Sequence, residues 1–197
     1  FPSSGISRGF LVEGLDHLSA IEPIWLIWDS TLHPGVEPPP ADSVGERIGF
    51  AECDPASPHL ERLRQSLPRD LVAHRIDRRL LERCEWRAEM EFFCGSLDNF
   101  LTHGLGICVM RGDEILSEAY ASAFGERVAE IGAVTREPHR RRGYGLLGCS
   151  FLIELCRTKG YGVYWSCDAE NEASAGLARR LGFKSETRYT EYEYKAA

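Results

Sequence analysis

The chain has 197 residues, 43% of them hydrophobic, and its 30 acidic against 23 basic side chains give a net charge of −7. That length fits one domain or one and a half with a sizeable buried core. The acidic balance argues against a nucleic-acid binder, which needs a broad basic face to displace counterions, and no apolar run reaches the roughly 18 residues of a membrane span. Neither nucleic acid nor membrane is therefore an expected partner.

The seven cysteines are an odd number without a C-x-x-C pair, and several lie in apolar runs. This reads as reduced, buried thiols of a cytoplasmic protein with no metal site. The chain begins at Phe1, and its first residues lack the charged-then-apolar pattern of a leader, so the start reads as a trimmed end or a piece of a longer polypeptide.

Residues 10–30 carry helical and apolar elements, and Ile24-Trp25-Leu26-Ile27-Trp28 suits a buried strand or a helix equally well. Residues 34–42, with Pro38-Pro39-Pro40, continue neither and form the expected linker. Pro58, Leu60, Leu63 and Leu67 predict a short helix that Pro68 ends. Residues 75–104 then give a series of helical turns. Strands over 106–111 and 114–124 are joined by the turn Gly112-Asp113, and Gly125-Glu126 turns the chain again into a strand over 127–135. A helix over 146–159, a strand over 161–166, a helix from Asn171 to Leu181 stopped by Gly182, and a final strand complete the chain. An antiparallel meander followed by a strand-helix-strand crossover is an α+β fold, divided into an N-terminal extension, 1–70, and a core, 71–197.

The most informative stretch is Arg140-Arg141-Arg142-Gly143-Tyr144-Gly145, between a strand and a long apolar helix. The first helical turn leaves main-chain N–H groups unpaired, the helix dipole adds positive charge, and glycine removes the side chain that would block an anion. A basic turn is more often a solvated loop. The order of elements downstream favours a phosphate-bearing ligand here.

These residues resemble the GNAT superfamily of acyl-CoA N-acyltransferases. The family's phosphate signature is Arg or Gln, two residues, Gly, one residue, Gly or Ala, and Arg140, Gly143 and Gly145 match it in register. Asn171, Leu177 and Leu181-Gly182-Phe183 are similar to its second cofactor segment. Residues 76–106, with Trp86, Phe100 and Leu101, resemble a branch that carries an extra N-terminal half.

The resemblance implies a GNAT fold, with a mixed, mostly antiparallel sheet flanked by helices and an N-terminal α/β extension. It implies acetyl-CoA or another acyl-CoA as co-substrate and a small-molecule primary amine as acceptor, with direct attack and no metal. Main-chain groups of Arg141, Arg142, Gly143, Tyr144 and Gly145 would hold the pyrophosphate, with charge from Arg140 to Arg142. Those of Ala133, Val134 and Thr135 would hold the pantetheine arm and thioester, and Asn171 would join the cofactor site.

Glu130, on the same strand, is the candidate base, although alternation along a strand could equally turn it away from the cleft. Where many members have an acidic tyrosine this chain has Ala178, so either the thiolate leaves unaided or another group substitutes, with Ser174 the candidate acid, Asn171 the other near one, and Tyr192 and Tyr194 more remote. Cys167 is expected to be a packed thiol, and the four tryptophans to be core. The competing reading is a non-catalytic acyl-CoA-binding domain, a sensor or part of a larger biosynthetic protein. A homodimer is the assembly considered.

Overall fold

A computed structural model describes residues 24–28, 35, 37–125 and 127–195. The expectations for residues 10–23, for Pro34 and for Glu126 lie outside them. In chain order the elements are β1 (Ile24–Trp28), β2 (Ser43–Ala51), α1 (Pro58–Gln65), β3 (Val72–Arg75), α2 (Arg78–Leu81), α3 (Arg87–Cys94) and α4 (Leu97–His103). There follow β4 (Gly106–Arg111), β5 (Glu114–Phe124), β6 (Val128–Thr135), α5 (Tyr144–Thr158), β7 (Gly162–Asp168), α6 (Glu172–Leu181) and β8 (Ser185–Tyr194).

Local chemistry sets most of these boundaries. Ser57 caps α1 by accepting from the Leu60 N–H, and Pro58 opens it. The series of helical turns resolves into three helices. Asp77 caps α2 through the Leu80 N–H, Gly95 stops α3 in the left-handed region at φ 74°, and Ser96 caps α4 through the Asn99 N–H. The segment that suited strand or helix is strand β1. Trp28 and Trp165 are buried as expected, but Trp25 is 43% exposed, because alternation along β1 turns every second side chain outward.

The chain divides into two units, Phe1–Gly49 with Cys167–Asn171 and Thr187–Ala197, and Phe50–Ser166 with Glu172–Glu186. In the first, β1 runs antiparallel to β8, with Ile24 opposite Tyr194 and Trp28 opposite Thr190. The Tyr194 hydroxyl donates to the Pro39 carbonyl at 2.9 Å, and Arg47 pairs with Asp168 at 2.9 Å.

In the second unit β3, β4, β5 and β6 form an antiparallel meander, and α5 crosses over to place β7 parallel to β6. This is the expected α+β class. Helix α5 lies close against one face of the meander, since a Cβ on Gly148 would stand 3.4 Å from Val109 and 3.6 Å from Ala119. Leu71, Val109, Leu116, Tyr144 and Leu147 form the core there. On the other face Leu80, Leu81, Met90 and Phe100 pack around Tyr120, with Trp86 half-buried against them. Alternation sends Ser117 and Ala119 toward α5, and Glu118 and Tyr120 toward α3 and α4.

Candidate active site

Strand β6 is held unequally on its two sides. It pairs with β5 from Ser117↔Thr135 to Phe124↔Ala129, across a bulge between Ala121 and Ala123. With β7 it pairs only at Val128↔Gly162, Ala129↔Val163 and Glu130↔Tyr164. Beyond Glu130, residues 131–135 have no strand pairing on that side among the described residues. Main-chain groups of Ala133, Val134 and Thr135 thus border a fork, which suits a ligand that pairs as a strand would. Not all are open. Ser117 donates to the Val134 carbonyl at 2.9 Å, and the Thr135 carbonyl accepts from Arg140 Nε at 3.1 Å.

After Thr135 the chain makes a short 3₁₀ turn, Glu137–His139, and then winds tightly into α5. Arg141 sits at φ 61° and Gly143 at φ 83°, so two left-handed residues turn the chain before the helix. The Leu147 N–H reaches the Gly143 carbonyl at 3.0 Å. The N–H groups of Tyr144, Gly145 and Leu146 therefore precede the helix's own bonding. No side chain caps them, and no acidic residue stands in the first turn. A Cβ on Gly143 would meet nothing within 4 Å. The loop thus combines unpaired donors, a positive helix end and open space, a combination that fits a phosphate.

The two signature glycines have different tasks. A Cβ on Gly145 would stand 3.1 Å from Thr135 Oγ1 and 3.7 Å from Leu177 Cδ2, so this glycine lets α5 close onto the end of β6 and onto α6. The Tyr144 ring is buried and its hydroxyl accepts from Arg111 at 3.0 Å, which leaves only its main chain for a ligand. Arg141 and Arg142 are exposed, and neither guanidinium has an ion-pair partner among the described residues.

On the face of β6 opposite α5, Glu130 Oε1 accepts a 2.6 Å hydrogen bond from the Ser166 hydroxyl. Gly132, next on that face, lies beneath Trp86, since an added Cβ would stand 3.6 Å from Trp86 Cζ3. Tyr120 is opposite Gly132 and meets Trp86 edge to face at 5.7 Å. Trp86 is held there by buried Glu118, whose carboxylate accepts from the Glu85 and Trp86 N–H groups at 2.8 and 3.2 Å, with Arg136 at 4.0 Å. Burial raises the Glu118 pKa from the usual carboxylate range, and these two N–H donors and Arg136 oppose the rise. Nothing local in the sequence joins Glu118 to Trp86; only the fold does.

Ser174 accepts from Trp165 Nε1 at 3.0 Å. Trp165 and Ser166 alternate along β7, so Ser174 lies on the face away from the Glu130 carboxylate. Ala178, one turn further along α6, is fully buried. Asn171 belongs to the first unit, where its N–H donates to the Asp168 carbonyl at 2.9 Å and it immediately precedes α6. Cys167 is buried, with its sulfur 4.0 Å from the Asn171 carbonyl. The second unit therefore brings together Glu130, the fork and the basic loop, and sets Ser174 on the opposite face. Among the described residues no group of three or more His, Cys, Asp or Glu is placed to hold a metal ion, and no helix is long and apolar enough to cross a membrane.

Comparison with known proteins gives these features a context. A family model described as GNAT acetyltransferase matches residues 39–192. An uncharacterised N-acetyltransferase of Bacillus subtilis (strain 168), YdfB, is 30% identical over 169 residues, covering 84% of this chain; the chain spans only 62% of that relative. Among solved structures, a GCN5-related N-acetyltransferase-like protein from Streptococcus suis 89/1591 shares the fold with a TM-score of 0.62 at 23% identity, over 94% of this chain and 68% of that one. A GCN5-related N-acetyltransferase from Kribbella flavida does so with a TM-score of 0.59 at 15% identity, over 98% and 77%. With the family model spanning most of its length, the chain belongs to the GNAT acetyltransferase family.

Proposed function

We propose that the protein transfers an acyl group, acetyl by preference, from acyl-CoA to the primary amine of a small molecule by direct attack. The observation that carries this reading is the fork in β6 leading straight into an uncapped, acid-free helix start at Gly143. An extended thioester-bearing arm suits the open strand edge, and its pyrophosphate suits the helix end. Arg141 and Arg142 add charge at the loop, while Arg140 fastens it through the Thr135 carbonyl. Ala133 and Thr135 border the arm with their main chains.

In the reaction the amine nitrogen forms a bond to the thioester carbonyl carbon and the C–S bond breaks. Glu130 takes the proton that the amine must lose, since it stands at the mouth of the fork. The thiolate departs without full proton transfer, since a thiol of pKa around 8.5 is a fair leaving group, and takes its proton from solvent; Ser174, whose oxygen accepts from Trp165 Nε1 at 3.0 Å, is the polar group assigned to steady it. Preorganised main-chain donors at the fork would stabilise the developing oxyanion.

The experiment is to supply acetyl-CoA with a panel of primary amines and follow release of free CoA. Amine-dependent release supports the transferase. Binding of acetyl-CoA without release on any amine would mark a silent acyl-CoA-binding domain instead.

A further inference from the structure

Resting on the transferase reading, we propose that Trp86, Tyr120, Gly132 and Glu130 form the acceptor site, and that it takes a primary ammonium on an apolar carbon chain with no carboxylate beside the amine. Tyr120 is the observation that points to a ligand. It is only 3% exposed, yet its hydroxyl makes no hydrogen bond among the described residues and is not one of the enclosed polar atoms, so the oxygen is left open to solvent or to a ligand. Its ring is fixed by edge-to-face contacts with Trp86 at 5.7 Å and Phe100 at 6.4 Å. The hydroxyl is therefore held in place without being used by the fold.

The surroundings select the ligand's charge. The Glu130 carboxylate lies on the same face of β6 as Gly132, the residue opposite Tyr120. Burial, and then the charges of Glu89, Cys94 and Glu130, push the Tyr120 phenol well above its ordinary pKa, so it stays neutral and both carboxylates act on the space around it. Of the cations on this face, Arg136 donates to the Arg83 carbonyl at 2.7 Å and faces Glu118, and Arg87 pairs with Glu82 at 3.7 Å. An ammonium can donate to Tyr120 and Glu130 while Trp86 offers its ring to the cation and to the adjoining carbons. A carboxylate on the same carbon would meet Glu130 and Glu89 with like charge, which rejects it. Gly132 matters because a side chain there would stand between Trp86 and the fork.

Paired probes differing only in that carboxylate give the test: phenethylamine against phenylalanine, and 3-methylbutylamine against leucine. The full chain is assayed for acetyl-CoA-dependent release of CoA, and for binding of each probe by calorimetry with CoA present. The decarboxylated member of each pair should be preferred by about tenfold or more in kcat/KM. Tyr120→Phe keeps the ring and should raise the amine KM about tenfold with the acetyl-CoA Kd unchanged. Trp86→Phe should retain more of the preference than Trp86→Ala. Equal use of the carboxylated amines, or no saturable binding of any probe by protein that binds acetyl-CoA, overturns the acceptor assignment alone. Failure to bind acetyl-CoA overturns the transferase reading, and this inference with it.

Discussion

The Ser166 hydroxyl donates to Glu130 Oε1 at 2.6 Å, and Glu130 is the last β6 residue paired with β7. The bond fixes the carboxylate where the two strands part. Glu130→Gln keeps the shape but cannot accept a proton, so turnover should fall by roughly 10²–10⁴-fold with acetyl-CoA affinity unchanged. The acidic limb of the rate-pH profile should change with it. Ser166→Ala leaves the carboxylate and loosens its aim, so its loss should be much smaller. Steady-state kinetics on a verified amine decide this, and a fully active Glu130→Gln would place the base elsewhere.

Gly143 carries the second prediction. At φ 83° with nothing within 4 Å of a Cβ, it is constrained by its backbone and not by packing. Acetyl-CoA at about a hundred times its Kd should stabilise the protein by roughly 2.7 kcal/mol. Gly143→Val places a branched side chain over the first-turn N–H groups and should abolish that increment. The strain of the left-handed position should cost the unliganded fold only about 1–2 kcal/mol. Thermal melts with and without acetyl-CoA measure both terms, and an unchanged ligand shift would refute the loop assignment.

What the sequence could show was what local chemistry writes. Gly112-Asp113 marked the β4–β5 hairpin, and Gly143 and Gly182 marked helix ends, because each needs a backbone only glycine adopts easily. Strands β2 and β3 left no such mark: the first half of β2 is exposed, with Val44 its one large apolar residue, and β3 is four mostly exposed residues, so neither shows an apolar alternation. The contacts that build the site are non-local. Ser166 and Glu130 are 36 residues apart and Trp86 and Glu118 are 32 apart. The family signature could point to Glu130's strand; which way its side chain faces was decided by the register of the fold.

Salt should weaken acetyl-CoA binding, and the sensitivity should reside in Arg141 and Arg142. Both are exposed without an ion pair among the described residues, where charges are screened over about 8 Å at physiological ionic strength. Arg140 instead spends its Nε on the Thr135 carbonyl and acts on loop geometry. Arg141→Asn, tolerated at φ 61°, combined with Arg142→Gln should flatten the dependence of log Kd on salt. Arg140→Gln should weaken binding at every salt concentration with less change in slope. Titrations across an ionic-strength series separate the two, and an unaltered slope in the double variant would assign recognition to the arm rather than the phosphates.

Ala178 stands where the family resemblance puts an acidic tyrosine, and the structure shows what a tyrosine would meet. The residue is fully buried, its carbonyl accepts the Phe183 N–H at 3.3 Å, and the neighbouring Leu177 lies against the start of α5 at Gly145. A ring added at a fully buried position must displace its neighbours, so Ala178→Tyr should overpack α6 and cost about 1–3 kcal/mol, with no gain in turnover. Ser174→Ala, by contrast, removes the hydroxyl proposed to steady the departing thiolate, and with it the acceptor of Trp165 Nε1. It should lower kcat while sparing the acetyl-CoA Kd, and the loss should shrink with thioesters of more acidic thiols, whose leaving groups need less help. Denaturant midpoints for the first variant and leaving-group dependence for the second check both halves. A faster Ala178→Tyr enzyme, or a Ser174→Ala loss independent of the thiol, would return the steadying of the thiolate to the family position or to solvent.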